Sequence, residues 1–372
     1  MSRGRILQLS LELGIVGLPN VGKSTLFNAL AGTSVDCSNY PFCTVEENVG
    51  VVPVPDDRLA GLERLLEPSK LTPTTVRFVD IAGLVKGASR GEGLGNKFLA
   101  NIRDVDAIVH LVRCFGDPNV SHVEGGIDPE RDIEILRTEL LLADLETAER
   151  NLDRLKRDGR RGDKESALLA EDLGRIRDAL DDGKAAIDVE LGPRGAELLE
   201  RYRFLTAKSS LFVANIDEND VGPGEQAWVT RISEIVGEPE WKVVPLSASL
   251  ESELAALSPE EEAEFLTGWG MAEPGLPRLI RAGYRLLDLV TFFTVKGTEV
   301  RAWTLKSGAT MIEAAAKIHS DMESGFIRAE VVTYDDLLSD GSMHGAREKG
   351  HVRTEGKESP VHDGDVILVH FN

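Results

Sequence analysis

Short apolar runs alternate with stretches of helical spacing over the first third of the chain. Leu13-Gly14-Ile15-Val16-Gly17, Val76-Arg77-Phe78-Val79-Asp80 and Ala107-Ile108-Val109-His110-Leu111-Val112 read as buried strands joined by crossover helices. Two further runs, Leu211-Phe212-Val213-Ala214-Asn215 and Val243-Val244-Pro245-Leu246, come only after a long interval, so the predicted α/β unit is interrupted. Within the interval Ile133, Leu136, Leu140, Leu145, Ala148, Leu152 and Leu155 recur in steps of mostly three and four, which predicts one long amphipathic helix. After the turn-forming segment Gly159 to Asp163, the set Leu169, Leu173, Ile176 and Leu180 repeats the spacing, and an antiparallel coiled-coil hairpin follows.

Downstream, Glu251 to Glu264 is acidic and reads as a solvated helix, and a further helix after Pro274-Gly275-Leu276-Pro277 leads out of the α/β unit. Beyond Leu289 the pattern becomes strand (Phe292 to Val295), hairpin turn, strand (Val300 to Leu305), helix (Met311 to Ser320) and terminal strand (Asp365 to Phe371). That β-β-α-β order suits a β-grasp fold. The predicted organisation is an α/β unit in two pieces, 11–127 and 205–288, a helical insertion at 128–204, and a β-grasp domain at 289–372.

A chain of 372 residues is long enough for two or three cores. With 63 acidic against 42 basic residues the net charge is -21, which disfavours indiscriminate attraction to nucleic acid or anionic lipid, so any RNA contact must be local. Cys37, Cys43 and Cys114 form no C-x-x-C pair, which argues against a disulfide framework or a zinc site and for a reducing, cytosolic compartment. Gln8 and Glu12 interrupt the apolar opening, so neither a signal peptide nor a membrane span is expected.

Gly17-Leu18-Pro19-Asn20-Val21-Gly22-Lys23-Ser24 matches G-x-x-x-x-G-K-[ST], between a predicted strand and the helical stretch starting at Thr25. Its glycines let backbone N–H groups turn onto phosphates, Lys23 supplies charge to the β and γ oxygens, Ser24 can ligate Mg²⁺, and the helix N-terminus adds its dipole. Asp80-Ile81-Ala82-Gly83, at a strand end, supplies a second group for the metal (Asp80) and an N–H for the γ-phosphate (Gly83), while Thr44 can complete the metal shell.

At these residues the sequence resembles the Obg family of P-loop NTPases, and within it the YchF branch, the Obg-like ATPases. Asn39-Tyr40-Pro41-Phe42-Cys43-Thr44, Asp80 through Gly87, Gly91-Glu92-Gly93-Leu94-Gly95-Asn96 and Arg301-Ala302-Trp303-Thr304 carry the likeness, which spans nearly the whole chain. The resemblance implies a TRAFAC-class G domain, a coiled-coil insertion, a C-terminal TGS domain, ribosome association expected at the large subunit, and hydrolysis of ATP in preference to GTP. Glu47 departs from the proline expected in this group's switch region.

Base choice is also readable from the residues. GTPases read guanine with N-K-x-D, whereas here the strand delivers Asn215-Ile216-Asp217-Glu218. Glu218 is one methylene longer than the aspartate, and Ile216 replaces the lysine that covers the base, so adenine is no longer rejected. A degenerate loop that still selects guanine is the alternative. Ser247-Ala248 would complete the base pocket.

Leu84 stands where Ras-like enzymes carry the water-positioning glutamine, so slow intrinsic turnover is expected. Two replacements are open: potassium held at Asn20, or a polar group such as His122 brought in by a loop or a partner. The candidate catalytic residues are therefore Lys23, Thr44, Gly83 and His122. The nucleotide-binding set is Asn20, Val21, Gly22, Lys23, Ser24, Thr25, Asn215, Ile216, Glu218, Ser247 and Ala248, with Ser24, Thr44 and Asp80 on Mg²⁺. Cys43, beside Thr44, is either redox-sensitive or an inert packed thiol.

Arg150, Arg154, Lys156, Arg157, Arg160, Arg161 and Lys164 cluster at the hairpin tip, and Arg347, Lys349, His351, Arg353 and Lys357 near the C-terminus. Both suit rRNA phosphates, and both are also what a solvated face looks like. The expected partners are ATP and the ribosome, through rRNA or ribosomal protein, with no membrane and a monomeric chain. The rivals are a GTP-specific enzyme of the same build and a ribosome-binding module indifferent to its nucleotide.

Overall fold

The structure, a computed structural model, describes residues 11–33, 48–81, 94–117 and 125–372. Among the described residues eight elements lead to the insertion: β1 (Glu12–Val16), α1 (Lys23–Gly32), β2 (Val49–Pro53), α2 (Asp57–Leu66), β3 (Lys70–Thr72), β4 (Thr75–Asp80), α3 (Leu94–Asp104) and β5 (Ala107–Cys114). After the insertion come β6 (Ser210–Ile216), α7 (Glu225–Val236), β7 (Val243–Leu246), α8 (Ala248–Leu254), α9 (Pro259–Trp269) and α10 (Gly275–Leu286). The α/β sheet has the order β2-β4-β1-β5-β6-β7 and is parallel except for β2. Every residue of β5 is buried, as a central strand covered on both faces requires. One core joins β1, β4 and β5 to α1, α3 and α10, and a second joins β5, β6 and β7 to α7 and α8.

The insertion is a helical hairpin. Asp128 caps α4 (Pro129–Arg160) by accepting from the Arg131 N–H, and Asp163 caps α5 (Lys164–Asp181) from Glu165. At 1.5 Å per residue α4 is about 48 Å long. Its root is set in the α/β core through Leu136, Leu140 and Ala143. Farther out, Leu141, Ala148, Leu152 and Leu155 pack against Leu169, Leu173, Ile176 and Leu180. Asp144 locks the root: its carboxylate, wholly buried, accepts from the N–H groups of Leu205 and Thr206 and from the Thr206 hydroxyl at 2.8–2.9 Å.

The C-terminal unit contains β8 (Leu289–Lys296), β9 (Glu299–Lys306), α11 (Met311–Ile318), α12 (Ser320–Ser324), β10 (Phe326–Thr333), α13 (Tyr334–Asp340), α14 (Met343–Lys349), β11 (Arg353–Glu355) and β12 (Asp365–Phe371). Its sheet runs β11-β10-β12-β8-β9-β3, with β12 parallel to β8 between antiparallel neighbours, which is the β-grasp arrangement. The edge strand β3 comes from the α/β segment and pairs with β9, Lys70 to Glu299 through Thr72 to Arg301. Leu59 and Leu62 of α2 share a core with Phe293, Val300, Ala302 and Leu337. Arg58 clamps this junction by bridging Asp56 and Asp363, each at 2.7 Å. Residues 56–72 thus lie between two α/β strands in sequence but build the C-terminal core.

Two features differ from the sequence reading. The β-β-α-β pattern omits β10, whose alternation is broken by a register shift between Phe326 and Arg328. The acidic stretch is two helices, and Glu251 is not solvated. Its buried carboxylate accepts the N–H groups of Gly275 (2.6 Å) and Leu276 (3.0 Å), satisfying the open first turn of α10. Among the described residues no helix is long and apolar enough to cross a membrane.

Asp144→Ala leaves two backbone N–H groups without an acceptor and is expected to lower stability by about 2–4 kcal/mol in urea titrations, with Asp144→Asn recovering part of the loss. A cost within error of zero would refute the locking role. His110, buried on β5 and stacked on Phe212 with centroids 4.9 Å apart, supplies a pH test. Burial depresses its imidazole from 6.5 to about 4. The folded chain therefore stays neutral at His110 while the unfolded chain takes up a proton. Its contribution is complete above about 6.5 and is lost as pH falls toward 4, at about 1.4 kcal/mol per pH unit. His110→Phe keeps the stack and is expected to flatten that slope; an unchanged slope excludes His110 as its source.

Candidate nucleotide-binding site

The carboxyl ends of β1, β5, β6 and β7 converge on one cleft of about 640 Å³. Open parallel sheets place ligands here, because loops diverge from this edge and helix N-termini point into it. Asn20, Gly22, Lys23, Ser24, Thr25, Asn215, Ile216, Glu218, Ser247 and Ala248 all line it.

The loop after β1 is held by steric necessity as well as hydrogen bonds. A Cβ at Gly17 would lie 2.8 Å from the Leu111 carbonyl oxygen. Gly22 has φ of 94° and abuts the Asn215 carboxamide, so both conformation and space demand glycine. Asn20 is also left-handed, with φ of 63°. Lys23, the first residue of α1, turns its ammonium back onto the carbonyls of Gly17 (3.2 Å) and Leu18 (3.4 Å). Burial lowers the Lys23 pKa and raises that of Asp80 at the end of β4, with the attraction between the two opposing both shifts. The Oδ1 of Asp80 is buried and has no hydrogen-bond partner among the described residues. A buried carboxylate oxygen left without a partner among the described residues, within electrostatic reach of Lys23, fits a hard divalent cation such as Mg²⁺.

Asn215, buried at the end of β6, ties the cleft together. Its amide nitrogen donates to the Val21 carbonyl and its oxygen accepts from the Ala248 N–H, both at 2.9 Å. Val21 itself is buried and contributes this backbone carbonyl, not a cleft-lining side chain. Glu218, in the turn after β6, has Oε1 2.8 Å from the donating Ser249 hydroxyl, which lies 3.0 Å from that of Ser247. Ile216 borders the cleft, but it is only 1% exposed and its side chain packs in the core under β6. It forms a wall and does not cover a base.

Phe115, Gly116, Asp117, Asp217 and Ser249 also line the cleft and were not singled out from the sequence. The available signal was their position, just past strand ends on the ligand side of the sheet. Arg113, one turn of the strand earlier, is buried, lies 4.6 Å over the Phe115 ring and donates to the Asn20 carbonyl at 3.4 Å. Cys43, Thr44, Gly83, Leu84 and His122 lie outside the described residues.

Comparison with known proteins extends this likeness over both units. Residues 12–145 match the family model described as 50S ribosome-binding GTPase. Residues 289–372 match the YchF-GTPase C-terminal model, described as a protein of unknown function (DUF933). The chain is 50% identical to the Haemophilus influenzae ribosome-binding ATPase YchF over 98% of its own length and 100% of the relative's. The Bacillus subtilis protein of the same name is also 50% identical at the same coverage, and the Escherichia coli O157:H7 one 46%. The solved Schizosaccharomyces pombe YchF GTPase superposes with a TM-score of 0.84 at 33% identity, covering 97% of this chain and 98% of that one. With full-length relatives at this identity and both domain models matched, the chain belongs to the YchF family of P-loop NTPases.

Proposed function

We propose that this protein is an Mg²⁺-dependent nucleoside triphosphatase that prefers ATP, binds the ribosome, and signals its nucleotide state through the helical hairpin. The observation that carries the reading is the cleft. The phosphate loop with the half-buried Lys23 stands at one end and a base corner ending in Glu218 at the other, and Asp80, whose Oδ1 has no hydrogen-bond partner among the described residues, lies within electrostatic reach of Lys23. The curated bacterial relatives are named ribosome-binding ATPases, which supports both halves of the reading.

In this reading the α1 N-terminus and Lys23 hold the β- and γ-phosphates, and Ser24 and Asp80 hold Mg²⁺. When bound, such a cation would offset the negative charge of the phosphates during transfer. Thr44 and Gly83 complete the metal and γ-phosphate contacts. Asn215 keeps the phosphate loop and the base loop in one register, so that base and phosphates are read together. Water attacks the γ-phosphorus and ADP leaves. With leucine at position 84, acceleration falls to potassium at Asn20 or to His122.

The two basic clusters are unequal as ribosome contacts. Near the C-terminus Arg347 pairs with Glu330, Lys349 with Asp340 and Arg353 with Asp365, so these three cations are met within the fold, and His351 Nδ1 lies 2.7 Å from the same Asp340 carboxylate. At the hairpin tip Arg161 meets Asp158 at 3.6 Å, while Arg150, Arg154, Lys156, Arg160 and Lys164 have no ion pair among the described residues. The tip is the better phosphate contact, and α4, rooted in the α/β core, connects it mechanically to the cleft.

A GTP-specific reading has its own support, since the N-terminal family model and the S. pombe relative are both described as GTPases. Equilibrium binding of ATP and GTP with Mg²⁺ and potassium separates the two. We expect tighter ATP binding, and a shift toward GTP in Glu218→Asp, which restores the shorter carboxylate without placing a charge in the Ile216 core. Clear GTP preference in the unsubstituted chain would sink the ATP reading and leave the P-loop fold intact. For the hairpin, the triple variant Arg154→Glu, Arg160→Glu, Arg161→Glu is expected to weaken ribosome co-sedimentation at least tenfold near 0.1 M salt. It should reduce the salt slope by about 2–3 while leaving nucleotide affinity unchanged. Undiminished sedimentation would remove the tip from the contact.

A further inference from the structure

Two side chains from neighbouring strands hold two successive carbonyls of the phosphate loop. Arg113 of β5 and Asn215 of β6 stand opposite each other in the parallel register, so their side chains leave the sheet on the same face. The Arg113 guanidinium donates to the Asn20 carbonyl at 3.4 Å, and the Asn215 carboxamide donates to the Val21 carbonyl at 2.9 Å. Arg113 is only 2% exposed and does not line the cleft; it reaches the loop from behind. Its Nε donates to the Phe115 carbonyl at 3.3 Å, which steadies the guanidinium over the Phe115 ring. These bonds are long, but the donor carries a full charge and water is excluded, so its pull on the carbonyl dipole is little screened. Ile216, at the lysine position of N-K-x-D, is buried and brings no cation to this loop. Arg113 brings one from the next strand.

The consequence follows from peptide geometry. The described chain has no cis peptide bond, and in a trans peptide the C=O and the following N–H point in opposite directions. Holding the Asn20 carbonyl toward Arg113 turns the Val21 N–H to the opposite side of the loop, away from β5. Holding the Val21 carbonyl toward Asn215 does the same for the Gly22 N–H. Asn20 and Gly22 are both left-handed, with φ of 63° and 94°, and such turns let successive N–H groups converge on an anion. We propose that Arg113 is a positioning residue for the phosphates: its charge holds the Asn20–Val21 peptide so that the Val21 N–H faces the phosphates of an incoming nucleotide. This rests on the reading of the cleft as a nucleotide site and is independent of the choice between ATP and GTP.

The test uses the full chain with Mg²⁺ and two probes, ADP and inorganic pyrophosphate, which has phosphates but no base. In the unsubstituted chain, pyrophosphate is expected to shift the Val21 amide signal in nitrogen–proton NMR spectra and to slow its hydrogen exchange. This arm needs no variant, and a Val21 amide that does not respond overturns the inference. Arg113→Gln is expected to weaken pyrophosphate and ADP by the same factor, about tenfold, and to diminish the Val21 response. Arg113→Lys, which keeps a charge within reach of the Asn20 carbonyl, is expected to lose less than about threefold. Weakened ADP with unchanged pyrophosphate affinity in Arg113→Gln overturns the inference, because the residue then acts on the Phe115 wall and not on the phosphate loop. So do equal losses in the Gln and Lys variants, or no loss in either. If the unsubstituted chain binds neither probe, the nucleotide-site reading falls and this inference with it.

Discussion

The carboxamide of Asn215 holds the cleft in one piece. Its nitrogen is committed to the Val21 carbonyl in the phosphate loop and its oxygen to the Ala248 N–H in the base loop, in a buried setting where neither bond competes with water. Removing one partner of such a pair costs more than making it contributes, because the stranded group stays desolvated. The amide also sets a steric condition. It lies where a Cβ on residue 22 would be, so the glycine of the phosphate loop and the asparagine of the base loop require each other. The two loops proposed to hold the phosphate and base ends of a nucleotide thereby share one frame.

The same economy of connection extends outward. The helix α4 is both a wall of the α/β core and one arm of the hairpin, and Asp144 stitches its root to the returning chain at Leu205 and Thr206. On the opposite side the excursion between β2 and β4 supplies α2 and β3 to the C-terminal unit, clamped by Arg58 on Asp363. The strand β4, which follows β3 directly in the chain, ends in Asp80, the candidate metal ligand. Two units that are separate in sequence pattern are joined by a strand, a helix and an ion pair.

Legibility followed the range of the interactions involved. The phosphate loop was readable because its demands are local: glycine where φ is positive and a lysine at a helix start. Strand runs such as Val109 to Val112 and the hairpin heptads were readable because burial on both faces, or along one stripe, writes its period into the chain. Glu251 was misread because nothing adjacent to it marks burial; its partners are the N–H groups of residues 275 and 276. The strand β10 was missed because a bulge erases its period, and the burial of the Ile216 side chain was not legible because its contacts belong to elements distant in sequence.

By itself the sequence determined the fold class, the inserted hairpin and the glycine-lysine loop between β1 and α1, since each rests on neighbours within a few turns or on a repeating spacing. Only the tertiary structure decided that residues 56–72 complete the C-terminal sheet, that Arg347, Lys349 and Arg353 are already paired, and that Ser249 engages Glu218. Those facts depend on groups brought together across 31 residues in the case of Ser249 and Glu218, and 305 in that of Arg58 and Asp363. Such partnerships leave no periodicity in the chain. They arise from packing, which chooses among the many polar partners that a charged sequence offers.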